Sequence, residues 1–304
     1  HIGGPDYLVC MLANGFPAVL IEKFDLQSTI ETYKRHGVTM AGGSTAFYSM
    51  FLGAQRQQPE EPLIPSLRLL SGGGAPKPPE IYYEILEEMG IPVAHGYGMT
   101  ESPMICQGSP SDSPDQLAHT EGKPVFAAEV TIVRSDGSTC DPGEEGQVVV
   151  AGPQLFKGYK DPDLNKEAFD SLGRFLTGDL GVMREDGHVS LTGRVKDIII
   201  RKGENISAKE VEDLLFKHES VQDVAVIGLP DETTGERACA IIAPNDQAEP
   251  LTLDLMRAYL NESGLRRNAI PEQLEIVENI PRNPSGKITK NVLQDRYKDA
   301  DFQR

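Results

Sequence analysis

No run of apolar residues in the sequence approaches the length of a membrane span. Basic residues are scarce: 29 Lys and Arg face 46 Asp and Glu, for a net charge of −17. Without a basic stripe to neutralise phosphates, nucleic acid is excluded as an expected partner. Docking on an anionic membrane by charge alone is opposed for the same reason. Cysteine is sparse too. Cys10, Cys106, Cys140 and Cys239 stand far apart and form no CxxC pair, so reduced thiols in a cytoplasmic protein are expected. The six histidines form no HExxH pair, which removes the commonest zinc signature.

Familiar glycine motifs fail when tested. Ser285-Gly286-Lys287 is followed by Ile288, and Pro281 stands where a Walker A loop needs its first glycine. Gly96-Tyr97-Gly98-Met99-Thr100 opens like a dinucleotide fingerprint but reaches Glu101 instead of glycine. Gly42-Gly43-Ser44-Thr45-Ala46 lacks the last glycine of a nucleophile elbow.

What is present is an α/β pattern that changes twice along the chain. Up to about residue 120, apolar runs such as Pro17 to Ile21 and Leu67 to Leu70 alternate with helix-like stretches. Ile30 to His36 reads as a helix ended by Gly37, and Pro79 to Met89 as another closed by Gly90. From about 122 the period becomes two, with strands expected over Glu129 to Val133 and Gly146 to Val150. Asp186-Gly187 lies between Gly181-Val182-Met183 and His188 to Leu191, a hairpin signal. Beyond Lys196 the α/β pattern returns. Ser207-Ala208-Lys209-Glu210 fits a capping box, Val221 to Gly228 and Arg237 to Ala243 read as strands, Leu253 to Leu260 as a helix, and Leu274 to Val277 as a last strand. A boundary is placed near 195, with net charges of −12 before it and −5 after.

Four segments are hard to explain by packing alone. In Gly96 to Glu101, glycines let the backbone approach a ligand, Tyr97 offers a flat face, Thr100 can donate to a phosphate and Glu101 can hold magnesium. In Phe175-Leu176-Thr177-Gly178-Asp179, a carboxylate after glycine can accept from paired hydroxyls. Gly193 to Ile200 sets alternate charges before an apolar strand. Pro281 to Lys290 holds Lys287 on a loop as a point charge for a developing anion. Taken singly, each also reads as something plainer: a loop around a buried tyrosine, a Gly-Asp turn, a solvated linker, a solvated lysine.

Their order along the chain resembles the adenylate-forming superfamily of acyl-CoA synthetases, luciferase-type enzymes and peptide-synthetase adenylation domains. The resemblance covers essentially all 304 residues. It implies an α/β fold: the later part of an AMP-binding N-terminal domain over 1–195, combining an α/β layer with a small β subdomain, then a mobile α+β lid over 196–304. It implies that Gly73, Gly74, Ala75 and Pro76 line an adenine site beside Tyr97 and Gly98. Thr100 and Glu101 would serve phosphates and magnesium, Asp179 the ribose with support from Arg194, and Lys287 the adenylation step. Lys196 matches the family's hinge, Gly203 would border the CoA channel, and His1 matches the start of an acyl-pocket gate. ATP, Mg2+, CoA and a carboxylic acid are the small molecules implied, with self-association left open.

The family's Ser/Thr/Gly-rich phosphate loop would lie upstream, and His1-Ile2-Gly3-Gly4 reads like the interior of a fold. The sequence is therefore expected to be a fragment, weak or inactive by itself. Arg174 stands where relatives usually carry tryptophan, and Leu176 where a polar or basic residue is common. Small and apolar residues between Met40 and Met50, unless they are ordinary core, suit an uncharged fatty or cyclic acid. The segments Pro103 to Pro110 and Lys196 to Leu214 resemble cyclohexanecarboxylate–CoA ligase-like members. A peptide-synthetase adenylation module and a non-catalytic remnant that binds a partner are the alternatives.

Overall fold

The computed structural model describes residues 3–75, 77–245, 249, 251–283 and 287–298. Contacts divide the chain into two compact units, His1–Thr177 with Gly181–Leu191, and Gly178–Leu180 with Thr192–Arg304. The second unit thus resumes at Thr192, where the sequence suggests a boundary near 195, and it also takes in Gly178–Leu180.

The first unit opens with α1 (Gly3–Ala13) and α2 (Leu26–His36), followed by β1 (Met40–Gly43), α3 (Thr45–Arg56), β2 (Leu69–Gly73), α4 (Pro79–Met89) and β3 (Val93–Met99). Then come β4 (Ser102–Gln107), α5 (Pro114–His119) and β5 (Lys123–Pro124). The strands form one sheet in the order β1-β2-β3-β4-β5. Its first three strands are parallel and its last pairings antiparallel. Parallel neighbours need crossovers, and α3 and α4 supply them. Tyr48, Phe51 and Leu52 of α3 and Ile81, Tyr82 and Ile85 of α4 are all buried. The run Pro17 to Ile21 does not become a strand: Leu20 is exposed, and Pro17 has no N–H for a ladder.

A four-stranded sheet follows, ordered β6 (Glu129–Val133), β7 (Glu145–Ala151), β8 (Phe175–Met183) and β9 (Val189–Arg194), with the short α6 (Pro162–Ala168) between β7 and β8. The β8–β9 connection closes as expected: Arg184 N donates to His188 O at 2.8 Å, and Gly187 N to Arg184 O at 2.9 Å.

The second unit contains β10 (Ile198–Arg201), β11 (Glu204–Ser207), α7 (Ala208–Leu215), β12 (Val221–Asp231), β13 (Gly235–Pro244), α8 (Leu253–Glu262), β14 (Gln273–Ile276) and α9 (Lys290–Tyr297). Its sheet runs β11-β10-β13-β12, with β14 parallel to β13. Alternation along β12 and β13 splits the apolar residues between two cores. Val224, Val226, Ala238, Ala240 and Ile242 meet Val211 and Leu215 of α7 and Met256 and Leu260 of α8. Ala225, Ile227, Cys239 and Ile241 face Leu293 and Tyr297 of α9 instead. Burial on both faces explains why these strands read as nearly continuous apolar runs. Ser207 caps α7 by accepting from Glu210 N at 3.3 Å, the hydroxyl half of the expected box. A fully reciprocal box occurs at Ser113 and Gln116 on α5, which the sequence reading did not name.

Candidate active site

In the first unit, the expected adenine-lining segment begins at the end of β2, and Gly73 pairs with Gly96 of β3. Pro76 lies outside the described residues. Ala75 is held from below by a buried histidine, with His95 Nε2 3.0 Å from Ala75 O. Tyr48 Oη lies 3.5 Å from the other ring nitrogen. Burial pushes the His95 pKa down against the pull of nearby Glu121, so the imidazole stays neutral at pH 7. A neutral ring that accepts from Tyr48 at Nδ1 can donate from Nε2 to the carbonyl.

The Gly96 to Glu101 segment is the end of β3 and a turn into β4 rather than an open loop. A Cβ on Gly98 would lie 2.0 Å from Pro103 O, so glycine is what lets the two strands meet there. Tyr97 is only 7% exposed and packs among Ile105, Cys106, Val148 and Val150. Thr100 is exposed at the turn and Glu101 half-buried beside it.

Glu101 is held at two points. Tyr159 Oη donates to its Oε1 at 2.7 Å, and Phe156 N donates to its backbone carbonyl at 2.8 Å. Burial first, and then the carboxylate acceptor, push the Tyr159 phenol up to about 12, so it remains a donor. Tyr159 was not legible as a site residue, because its partner is 58 residues away and no local motif joins them. Lys77, 7% exposed, was also missed. Its ammonium donates to Leu117 O and Ala118 O at 2.7 and 2.6 Å, satisfying carbonyls at the end of α5.

Arg174 closes the turn before β8. Its Nε donates to Asp170 Oδ2 at 2.7 Å, and its backbone N to Oδ1 at 2.9 Å.

In the second unit, Asp179 is 4% exposed, and Arg194 Nε donates to its Oδ1 at 2.9 Å. Gly178 supports this placement with a φ of 75° that a larger residue would resist. Lys196 is exposed in a single 3-10 turn, Val195–Asp197. Gly203 lies in the tight turn between β10 and β11, with a φ of 80°. Lys287 sits on a small hairpin. Asn283 N donates to Lys287 O at 2.9 Å, Lys287 N returns a bond to Asn283 Oδ1 at 3.0 Å, and Thr289 N donates to Pro281 O at 2.9 Å. Ser285 and Gly286 fall outside the described residues. Three residues on, Lys290 Nζ reaches Glu212 Oε1 at 2.8 Å and Asp197 Oδ2 at 3.7 Å. One lysine thus ties the Lys287 hairpin to the turn that carries Lys196.

The chemistry of this set fits the groups the resemblance implies. Magnesium takes one or two carboxylates and completes its shell with phosphate and water oxygens. Glu101, fixed by Tyr159, is a carboxylate of the kind such a shell uses.

The profile described as "AMP-binding enzyme" matches residues 1–160, and that described as "AMP-binding enzyme C-terminal domain" matches 210–287. The chain belongs to the AMP-binding enzyme family. It is 34% identical over 281 residues to the medium-chain fatty-acid–CoA ligase of Escherichia coli, a match covering 92% of this chain and 49% of that protein. Its fold superposes on ATP-bound MatB from Rhodopseudomonas palustris with a TM-score of 0.85 at 30% identity, covering 92% of this chain and 55% of the other. The o-succinylbenzoate CoA synthetase of Bacillus subtilis, solved with ATP and magnesium, gives 0.83 at 32%, covering 98% and 59%. The chain spans about half the length of the curated relatives it matches. The superfamily and the two-part α/β architecture expected from the sequence are both found.

Proposed function

We propose that the gene product is an ATP-dependent acid–CoA ligase and that this chain carries its nucleotide-gripping and lysine-bearing parts. The observation that carries the reading is the buried Asp179 carboxylate, fixed by Arg194 beside a left-handed glycine. A carboxylate fixed in this way presents acceptor oxygens in a set direction, and the vicinal hydroxyls of a ribose are a pair of donors that suits it. Adenine would lie against Gly73, Gly74 and Ala75, with Tyr97 and Gly98 behind them. Thr100 would donate to phosphate.

In the first half-reaction a carboxylate oxygen of the acid bonds to the α-phosphorus of ATP as the bond to pyrophosphate breaks. Two anions must approach, and Lys287 would offset their repulsion with its ammonium. Glu101 would hold magnesium, which would supply further charge neutralisation on the phosphates. In the second half-reaction the CoA thiol gives up its proton, its sulfur bonds to the acyl carbon, and AMP leaves. Lys196, on its exposed turn, is the position about which the second unit would reorient, and Gly203 would border the thiol's approach. The apolar character of Met40 to Met50 supports an uncharged fatty or cyclic acid. Ala41, Tyr48 and Phe51 are core, so Gly42, Gly43 and Ser44 are the candidates to border the acid.

The test is acid-dependent AMP release by the full-length gene product over fatty, cyclic, aromatic and amino acids, with and without CoA. CoA-stimulated turnover on one acid class is expected, with a drop of at least 100-fold in Lys287→Ala, the scale seen when one preorganised transition-state donor is removed. No acid-dependent AMP release from folded protein would overturn the ligase reading.

A further inference from the structure

We infer that Tyr159 is a positioning residue for Glu101, and that its hydroxyl fixes the carboxylate in the orientation that receives the divalent cation of the bound nucleotide. The inference rests on the reading of Glu101 as the cation-holding carboxylate.

The contact is built rather than incidental. Tyr159 lies on the connection between β7 and α6, where it needs its own support. Its backbone N donates to Asn165 Oδ1 at 2.6 Å, and Asn165 Nδ2 donates back to Tyr159 O at 3.0 Å and to Asp161 O at 3.4 Å. Asn165 belongs to α6, whose first turn is capped by Asp161 accepting from Asp163 N at 3.0 Å. Aromatic packing fixes the other side. The Phe156 ring meets Tyr159 edge-on at 4.8 Å, stacks on Phe169 at 5.6 Å and meets Phe175 at 5.3 Å. Phe156 itself donates its backbone N to Glu101 O. The same segment therefore grips both the backbone and the side chain of Glu101.

The type of donor matters as much as its position. A guanidinium or ammonium at 2.7 Å would fix the carboxylate but cancel its charge. Among the described residues, the groups that hold Glu101 are a phenol hydroxyl and a peptide N–H, and neither carries a formal charge. The carboxylate is oriented while its negative charge stays available to a cation, as outer-shell partners of metal ligands generally do.

Tyr159→Phe removes the hydroxyl and keeps the ring. In the full-length protein with a non-hydrolysable ATP analogue, Mn2+ serves as the probe, and free Mn2+ is counted by electron paramagnetic resonance. Loss of an outer-shell partner typically costs 10- to 100-fold in metal affinity, so Tyr159→Phe is expected to weaken Mn2+ binding about 10-fold. Nucleotide affinity measured in chelator, without metal, should be unchanged. Glu101→Gln should weaken Mn2+ further, and adding Tyr159→Phe to it should cost nothing more, because the tyrosine acts through the glutamate. If Tyr159→Phe weakens metal-free nucleotide binding as much as Mn2+ binding, it distorts the site generally and the inference falls. It falls equally if Tyr159→Phe binds Mn2+ like wild type while Glu101→Gln does not. Wild-type Mn2+ affinity in Glu101→Gln would instead remove the cation reading of Glu101, and the role of Tyr159 with it.

Discussion

Single side chains in this chain act mostly by holding others still. Asp186 shows it at the β8–β9 turn. Its carboxylate accepts from Gln116 Nε2 at 2.9 Å and from His188 N at 3.0 Å, and those bonds outweigh the opposing effect of burial and hold its pKa well below the usual carboxylate range. With a folded pKa below the unfolded value of about 3.9, its contribution to stability is fully present above that value. It is lost as pH falls through the folded pKa. Asp186→Asn should therefore melt slightly lower than wild type at pH 6 and lose less stability between pH 4 and pH 2. Parallel melting curves across that range would contradict the assignment. The side chain is about a third exposed, so the effect is modest.

Elements here are tied together by ends as much as by faces. Helix α5 is only six residues long and owes little to its own hydrogen bonds. Its N-terminus is closed by the Ser113–Gln116 box and its C-terminus by Lys77, which reaches two of its carbonyls from a different crossover. Lys77→Leu keeps the buried bulk but leaves those carbonyls without their donor. Hydrogen bonds to charged groups are worth about 1.5–3 kcal/mol each in stability. We expect a net loss of about 2 kcal/mol in chemical denaturation of the variant, with the box intact. A loss below roughly 0.5 kcal/mol, the scale of an ordinary surface substitution, would show that the lysine is not the cap.

At the scale of the whole molecule, the chain supplies two units of an enzyme family whose curated members are about twice its length. Helix α1 has no buried residue, and Val9 and Leu12 are more than 60% exposed despite its apolar sequence. The 304 residues assayed alone are expected to release acid-dependent AMP at under about 1% of the full-length rate, given that one transition-state donor alone is worth 10²–10³. Equal rates from the two would refute this.

The sequence by itself determined many of the elements and the order of the motifs. Helix limits at Gly37 and Gly90, the Asp186-Gly187 hairpin and the paired strands β12 and β13 all follow from local conformational preference and from periods of 3.6 and 2. Such signals act over a few residues, so one chain is enough to read them. The tertiary structure alone decided which side chains serve the motif residues. Tyr159 on Glu101, Lys77 on α5 and Lys290 on Asp197 join positions separated by tens of residues, and no local rule couples such positions. It also decided that Pro17 to Ile21 stays outside the sheet and that Tyr48 is core. An apolar run specifies that a segment can be buried; only the packing of the remaining elements determines whether a place exists to bury it.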